Sequence, residues 1–253
     1  MKPAPPNATA PCRRCGACCH KGGPALHAQD LPLFQGPDAL SLSLVVTLRA
    51  GELVHDQPRG RLLPLTAEVL KLRGGVLAGQ GGQGGQACAL LSPADTACTL
   101  YERRPAECRA LSCQDTAGLA AMYDQDRLAR ADLLPAGHGL LAVMAEHEAL
   151  VPVARIAPLA AALRSGGQEA LDAEEELTRM ALADRAFRTG LSERAGIGPE
   201  YHECFLGRAI GTLFAAAGLA LRADARTGLR VQPDPLRRSP LPDAPPDAQE
   251  DRP

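Results

Sequence analysis

Tryptophan is absent, and three tyrosines and four phenylalanines bring the aromatic share to only 3%. The core must therefore be built mainly from Leu, Val, Ile and Ala. No apolar run approaches the roughly 20 residues that span a bilayer, so no membrane association is expected. The opening MKPAPPNATAPCRR has no apolar centre of the kind a secretory signal carries, and the expected location is the cytoplasm. A dominant charge is also missing: 27 Lys and Arg stand against 29 Asp and Glu, for a net charge of −2. With a pI near 6.3, the chain lacks the basic footprint of a dedicated nucleic-acid binder. The glycine-rich run Gly74–Gln86 is not followed by Gly-Lys-Ser/Thr, which excludes a phosphate-binding loop there. No flavin or haem motif is present. What remains is an ordinary globular composition of 253 residues, 45% hydrophobic and 22% charged, that carries nine cysteines. Without a secretion signal, patterned cysteines point to metal or catalysis rather than to disulfides.

The chain divides by composition. Residues 1–11, rich in Pro, Ala and Asn, predict a loose tail, and residues 233–253, rich in Pro and poor in apolar residues, a disordered one. Eight of the nine cysteines fall between Cys12 and Cys113. This clustering predicts a small irregular cysteine-rich module over 12–125 and a helical domain over 126–232, an α+β, mostly helical chain. Within the module, strands are expected around Pro24–His27 and Leu42–Leu48, a helix over Ala67–Leu72, and a flexible loop over Gly74–Gln86. Downstream, helices are expected over Asp115–Leu134, within His138–Arg164 with breaks at Pro152 and Pro158, over Glu169–Thr189, and over Glu200–Leu221. Ala173, Leu177, Met180 and Phe187 mark one apolar face that Asp184 interrupts. Gly228–Val231 reads as a short strand.

The chemistry concentrates in two cysteine groups. The first is Cys12-Arg-Arg-Cys15-Gly-Ala-Cys18-Cys19, and the second is Cys88, Cys98, Cys108 and Cys113. C-x2-C spacing turns two sulfurs toward one ion, and Gly16 supplies the left-handed residue such a turn needs. Adjacent side chains diverge in helix and strand, so Cys18 and Cys19 are expected to serve different metals, or one of them to stand behind the other. Eight thiols suffice for two four-sulfur sites or one multinuclear site. Four thiolates around Zn²⁺, or around a [4Fe–4S]²⁺ cluster, leave a charge of −2 that needs compensation. Arg13, Arg14, Arg103, Arg104 and Arg109 lie within five residues of a cysteine, with Arg104 and Arg109 offering guanidinium donors toward thiolates or Glu102. His20 is a candidate substitute ligand, although a surface histidine is the simpler reading. The ferredoxin-like C-x2-C-x2-C opening and the number of sulfurs favour an iron–sulfur cluster over zinc.

On these residues the sequence resembles the YkgJ-type family of bacterial cysteine-cluster proteins, zinc- or iron-chelating domains with a C-x2-C-x2-C-C motif. The resemblance rests on Cys12, Cys15, Gly16, Cys18 and Cys19, and on Cys98-Thr-Leu-Tyr-Glu-Arg-Arg-Pro-Ala-Glu-Cys108-Arg-Ala-Leu-Ser-Cys113. That second stretch fits C-x-x-Y-x-x-R-P-x-x-C-R-x-x-x-C through Tyr101, Arg104, Pro105 and Arg109. The resemblance implies that Cys12, Cys15, Cys18, Cys19, Cys88, Cys98, Cys108 and Cys113 are the metal ligands. It names a domain and no reaction, and no catalytic residue follows from it.

The remaining candidates have plain readings. Tyr101 is a packed lid on the module, since a phenol near pKa ~10 is a poor acid. Cys204 is a buried small hydrophobe, and His138 and His147 are scattered surface histidines. Arg49, Glu52 and Asp56 form a polar cluster that either lines a substrate pocket or solvates a face. The acidic run Asp172–Glu176 is a solvated helix face. Taken together, the residues predict a cytoplasmic metal-binding protein holding a metal ion or cluster, with no nucleic-acid or membrane partner and no identifiable protein partner. Three functions remain open: redox or group-transfer chemistry at an accessible iron, a zinc-stabilised protein-binding module, and metal delivery or storage.

Overall fold

The computed structural model describes residues 12, 14–56, 59–74, 87–92 and 94–236. The expected tail over 1–11, Arg13, the loop beyond Gly74 and the last part of the C-terminal tail lie outside the described residues. In chain order the strands are β1 (Val45–Leu48), β2 (Leu53–Asp56), β3 (Arg61–Pro64), β4 (Val69–Leu72), β5 (Leu219–Arg222) and β6 (Arg230–Pro233). The α-helices are α1 (Ala106–Ala110), α2 (Ala117–Met122), α3 (Gly139–Leu150), α4 (Ile156–Ser165), α5 (Gly167–Ala195), α6 (His202–Phe205) and α7 (Ile210–Ala216). Helices with small antiparallel sheets make the chain α+β, as its composition predicts. By contacts the chain forms two compact units that interleave in sequence. One comprises Met1–Leu48, Glu68–Leu141 and Pro199–Gly207; the other comprises Arg49–Ala67, Ala142–Gly198 and Arg208–Pro253.

The first unit carries all nine cysteines. Its centre is the antiparallel pair β1–β4, with Val45 opposite Leu72 and Thr47 opposite Leu70. The segment expected to be helical at Ala67–Leu72 is therefore largely strand. Val69-Leu70-Lys71-Leu72 alternates between half-buried and buried positions, the period-2 signature of a strand, and β1 supplies the partner. Around Pro24–His27 the expected strand is reduced to isolated bridges, Ala25 with Lys71 and His27 with Arg127. Leu42–Leu44 forms a 3-10 turn and only Val45–Leu48 pairs. The long helix expected over Asp115–Leu134 stops after α2. Asp126 takes φ +44°, and the Leu128 amide donates to Leu26 O at 3.0 Å, so pairing with the 25–27 segment takes over from the helix. Buried Leu26, Leu70, Leu72, Leu128, Leu206 and Cys204 fill this unit, and Thr47 Oγ1 donates to Cys204 O at 2.6 Å.

The second unit is the helical one. Its core joins Val151, Ile156, Leu159 and Ala160 to Leu177, Met180 and Ala181 of α5 and to Ile210, Leu213 and Phe214 of α7. Pro152 breaks the helical stretch as expected. Pro158 does not, because it sits in the first turn of α4, where its missing N–H has no intrahelical partner to lose. The helix expected over Glu200–Leu221 is cut by Gly207 (φ +75°) and Gly218 (φ +71°). Leu219–Arg222 then pairs with Arg230–Pro233, which realises the short strand expected near Val231. Among the described residues, no helix is long and apolar enough to cross a membrane.

Candidate metal centre

The first cysteine group enters as a loop and closes as a 3-10 turn over Cys19–Lys21. Gly16 takes φ +70°, the left-handed conformation its position predicts, and a Cβ there would lie 3.0 Å from Thr96 O. The His20 amide then donates back to Gly16 O at 3.0 Å, which coils the chain around Cys18 and Cys19. Cys18 has helical φ and ψ, and its Sγ lies 4.0 Å from Cys19 Sγ. The expectation that adjacent cysteines diverge is corrected here: in this tight turn the two side chains converge. Two thiolates on one tetrahedral ion, with metal–sulfur bonds of ~2.3 Å, lie ~3.8 Å apart, so this pair matches one edge of such a site.

The second group is brought alongside by the backbone. The Cys88 amide donates to Cys19 O at 2.7 Å, and Leu91 bridges to Cys98. Cys108 projects from α1. Burial pushes the Cys19 thiol up to about 12, and the charges of Cys18, Cys88 and Cys98 add to the effect. Burial also raises Cys108, with Cys88, Cys19, Cys18 and Cys98 acting in the same direction, and raises Cys88, with Cys98 and Cys18 adding to it. Cys18, Cys19, Cys88, Cys98 and Cys108 thus share one electrostatic neighbourhood. Cys12, Cys15 and Cys113 are exposed. All nine cysteines are free thiols. Among the described residues, no group of three or more His, Cys, Asp or Glu side chains is placed to hold a metal ion. The donor set nevertheless suits a thiophilic ion, since thiolate sulfur is the ligand that zinc and iron centres share. Cys204, fully buried and pushed up by burial to about 12, packs as the small hydrophobe expected of it.

The arginines brace the module rather than pairing with the residues first expected. Arg14 and Arg104 lie over the Tyr101 ring at 3.7 and 3.9 Å from its centroid. Glu102 pairs with Arg14 at 3.4 Å, not with Arg104 or Arg109. Arg109 donates to Arg104 O and, at 3.0 Å, to Gln29 Oε1. Arg103 donates to Asp38 O at 3.1 Å. Tyr101 is the packed platform of this cluster. His20 is exposed.

Sequence reasoning missed the group that holds α1 in place. Asp30, fully buried, accepts the Ala106 amide at 2.8 Å through one oxygen and the His27 amide at 3.0 Å through the other. Glu107 accepts the Ala25 amide at 2.8 Å and pairs with Arg127 at 2.8 Å. His27 Nδ1–H donates to Gln125 O at 2.8 Å, leaving Nε2 to accept from Arg127 at 3.2 Å. The segment 25–30 therefore grips the start of the helix that carries Cys108. The one available signal was Glu107 itself, a carboxylate directly beside a cysteine. In the second unit, Arg49, Glu52, Asp56 and His147 are all buried, which corrects the surface readings of the polar cluster and of His147.

No curated protein and no solved structure matches the chain. Residues 11–125, the stretch that contains both cysteine groups, match the model of the CxxCxxCC family, described as a "Putative zinc- or iron-chelating domain".

Proposed function

We propose that the protein binds zinc or iron through cysteine thiolates, with a mononuclear four-sulfur site nucleated by Cys18 and Cys19 and completed from Cys88, Cys98 and Cys108. The observation that carries this reading is the 4.0 Å separation of the Cys18 and Cys19 sulfurs. In a cubane cluster each cysteine binds a different iron, which holds ligand sulfurs farther apart than the ~3.8 Å edge of a single tetrahedral ion. A mononuclear site thus fits better than the iron–sulfur cluster the spacing alone favours. Cys12, Cys15 and Cys113, being exposed, support a second reading in which all eight cysteines of the module build a second or multinuclear centre, the arrangement that redox or group-transfer chemistry would use. In either case the thiols require the reducing conditions of the cytoplasm.

The test is anaerobic purification of the untagged chain, followed by metal and acid-labile sulfide analysis and an absorbance spectrum. With three tyrosines and no tryptophan, a thiolate-to-iron charge-transfer band stands clear of protein absorbance, while a zinc-loaded chain is colourless. One zinc or iron per chain without sulfide, lost in Cys18→Ser and in Cys19→Ser, is the expected result. Iron with equimolar sulfide would replace the mononuclear site with a cluster, and a chain that retains no metal would end the proposal.

A further inference from the structure

The cysteine module carries more positive charge on its surface than its own acids neutralise. Arg14, Arg103, Arg104 and Arg109 gather around Tyr101. Arg14 and Arg104 lie over the ring, 3.7 and 3.9 Å from its centroid. Arg103 belongs to the same 3-10 turn, Tyr101–Arg103, and Arg109 donates to Arg104 O. Arg14, Arg103 and Arg109 are exposed and Arg104 is half-buried.

Their partners hold these side chains without cancelling their charge. Among the described residues, Arg14 alone of the four meets a carboxylate, that of Glu102 at 3.4 Å. The Glu102 side chain is 87% exposed, so water screens the pair. Arg103 donates to Asp38 O at 3.1 Å and Arg109 to Gln29 Oε1 at 3.0 Å, both neutral acceptors. Arg104 rests on the ring, whose face attracts a cation and leaves its charge in place. Asp30 and Glu107 are engaged elsewhere, the first buried on the Ala106 and His27 amides and the second paired with Arg127. Even with exposed Asp38 counted beside Glu102, four guanidiniums stand against two carboxylates. The buried thiols do not use this excess: the largest charge effects on Cys19, Cys88 and Cys108 come from neighbouring cysteines and, at Cys88, from Lys71.

We propose that this patch docks an acidic peptide segment of a partner protein, whose Asp and Glu side chains meet Arg14, Arg103, Arg104 and Arg109 along an open surface. A guanidinium edge matches a carboxylate with two parallel hydrogen bonds. The ring and the backbone oxygens already order these long side chains, which lowers the entropy cost of docking. The four arginines come from the cysteine loop, the Tyr101 turn and the last turn of α1, so they line a surface rather than converge on one small anion. That layout suits an extended segment. A nucleic acid would call for a larger basic footprint than four arginines on a chain of net charge −2. The patch borders exposed Cys12, whose Sγ accepts the Arg14 amide at 3.4 Å, and a docked segment therefore lies beside the outer thiols of the module. Docking rests on charge and stands apart from which metal the thiols hold.

The probe is fluorescein-labelled octaglutamate, titrated into the full-length protein and followed by fluorescence anisotropy, with octaglutamine and an oligothymidylate of matching charge as counterparts. The expected result is saturable octaglutamate binding that weakens as salt rises, no binding of octaglutamine, and weaker binding of the oligothymidylate. Arg103→Gln and Arg109→Gln, both at exposed side chains, should each weaken octaglutamate binding about threefold, and together about tenfold. Glu102→Gln removes the carboxylate that competes for Arg14 and should tighten binding about twofold, a change of sign that structural damage does not produce. Absence of saturable octaglutamate binding, an oligothymidylate that binds as tightly or more tightly, or unchanged affinity in the Arg103→Gln/Arg109→Gln double variant would overturn the proposal. Metal content is read separately in the same samples, so its loss bears only on the metal centre.

Discussion

Replacing Asp184 with Asn tests the buried polar network of the second unit at the point where it carries the most. The carboxylate accepts from His147 at 2.9 Å, from Arg188 at 2.9 and 3.0 Å, and from the Ile210 amide at 3.2 Å. Every one of these partners is a donor, so an amide NH2 at either oxygen position faces two N–H groups, and Arg188 loses its counter-charge. Breaking a buried pair from one side costs about 3–5 kcal/mol. The pH dependence gives a second measure of the same interaction. Burial alone would raise Asp184, but the hydrogen bonds from His147 and Arg188 overcome it and hold the group at about 2 against an ordinary 3.8. That difference is worth about 2 kcal/mol, present in full above roughly pH 4 and lost as the pH falls toward 2. His147 adds to the loss on the acid side: burial lowers its pKa, so below pH ~6.5 the unfolded chain takes up the proton first. Urea unfolding followed at 222 nm, with hydrogen exchange on α3 and α5 peptides to isolate the second unit, reads both quantities. The native chain should lose stability steadily from pH 6 to pH 3. Asp184→Asn should start about 3–5 kcal/mol lower at pH 7 and show a shallower acid slope. A variant within about 1 kcal/mol of the native chain at pH 7, or with the same acid slope, would refute the reasoning.

Two predictions concern the metal centre. Asp30→Asn leaves one of two amide donors, Ala106 or His27, facing an NH2 group, and should weaken zinc binding about tenfold in chelator competition while apo circular dichroism stays unchanged. Equal affinity would reduce the Asp30 clamp to a fold element. Gly16→Ala forces a side chain into φ +70° with its Cβ 3.0 Å from Thr96 O, costing about 1–2 kcal/mol, and should appear as a lower thermal midpoint of the metal-loaded protein and a faster loss of metal to chelator.

What the sequence discloses about the metal centre is its inventory and one turn. The two cysteine groups and the left-handed Gly16 follow from spacing and residue type, because a glycine between closely spaced cysteines has one evident use. The approach of Cys18 to Cys19 does not follow, since it depends on the 3-10 turn that the Gly16 carbonyl and the His20 amide close. Ala67–Leu72 illustrates the same limit: four alternating residues suit a strand only once β1 provides the partner. The helix expected at Asp115–Leu134 begins correctly, with Asp115 accepting the Ala117 amide at 2.9 Å, and ends early because Leu26, about a hundred residues away, claims the Leu128 amide. Short segments are decided by long-range partners, and a single sequence does not print those partners.

The polar network shows why buried charge is the hardest feature to read forward. Asp184 interrupts an otherwise apolar face of α5, and on that evidence alone an interruption signals shallow burial. The structure gives the opposite sense: Asp184 is 3% exposed, as deep as Met180 one turn before it. What makes its burial tolerable lies elsewhere in the chain, in His147 of α3, in the Ile210 amide, and in Arg188 one turn along the same helix. Only the last could have been found from spacing, as an i,i+4 pair of the kind that usually decorates an exposed face. Arg49 and Glu52 follow the same logic. Three residues apart, they read as a solvated pair, yet the backbone amide of the first binds the carboxylate of the second and their other partners come from α3 and from Arg208. A carboxylate placed on an apolar face is therefore better taken as a question about which distant donor meets it. In this unit the answers are the partners of four buried polar residues, Arg49, Glu52, His147 and Asp184.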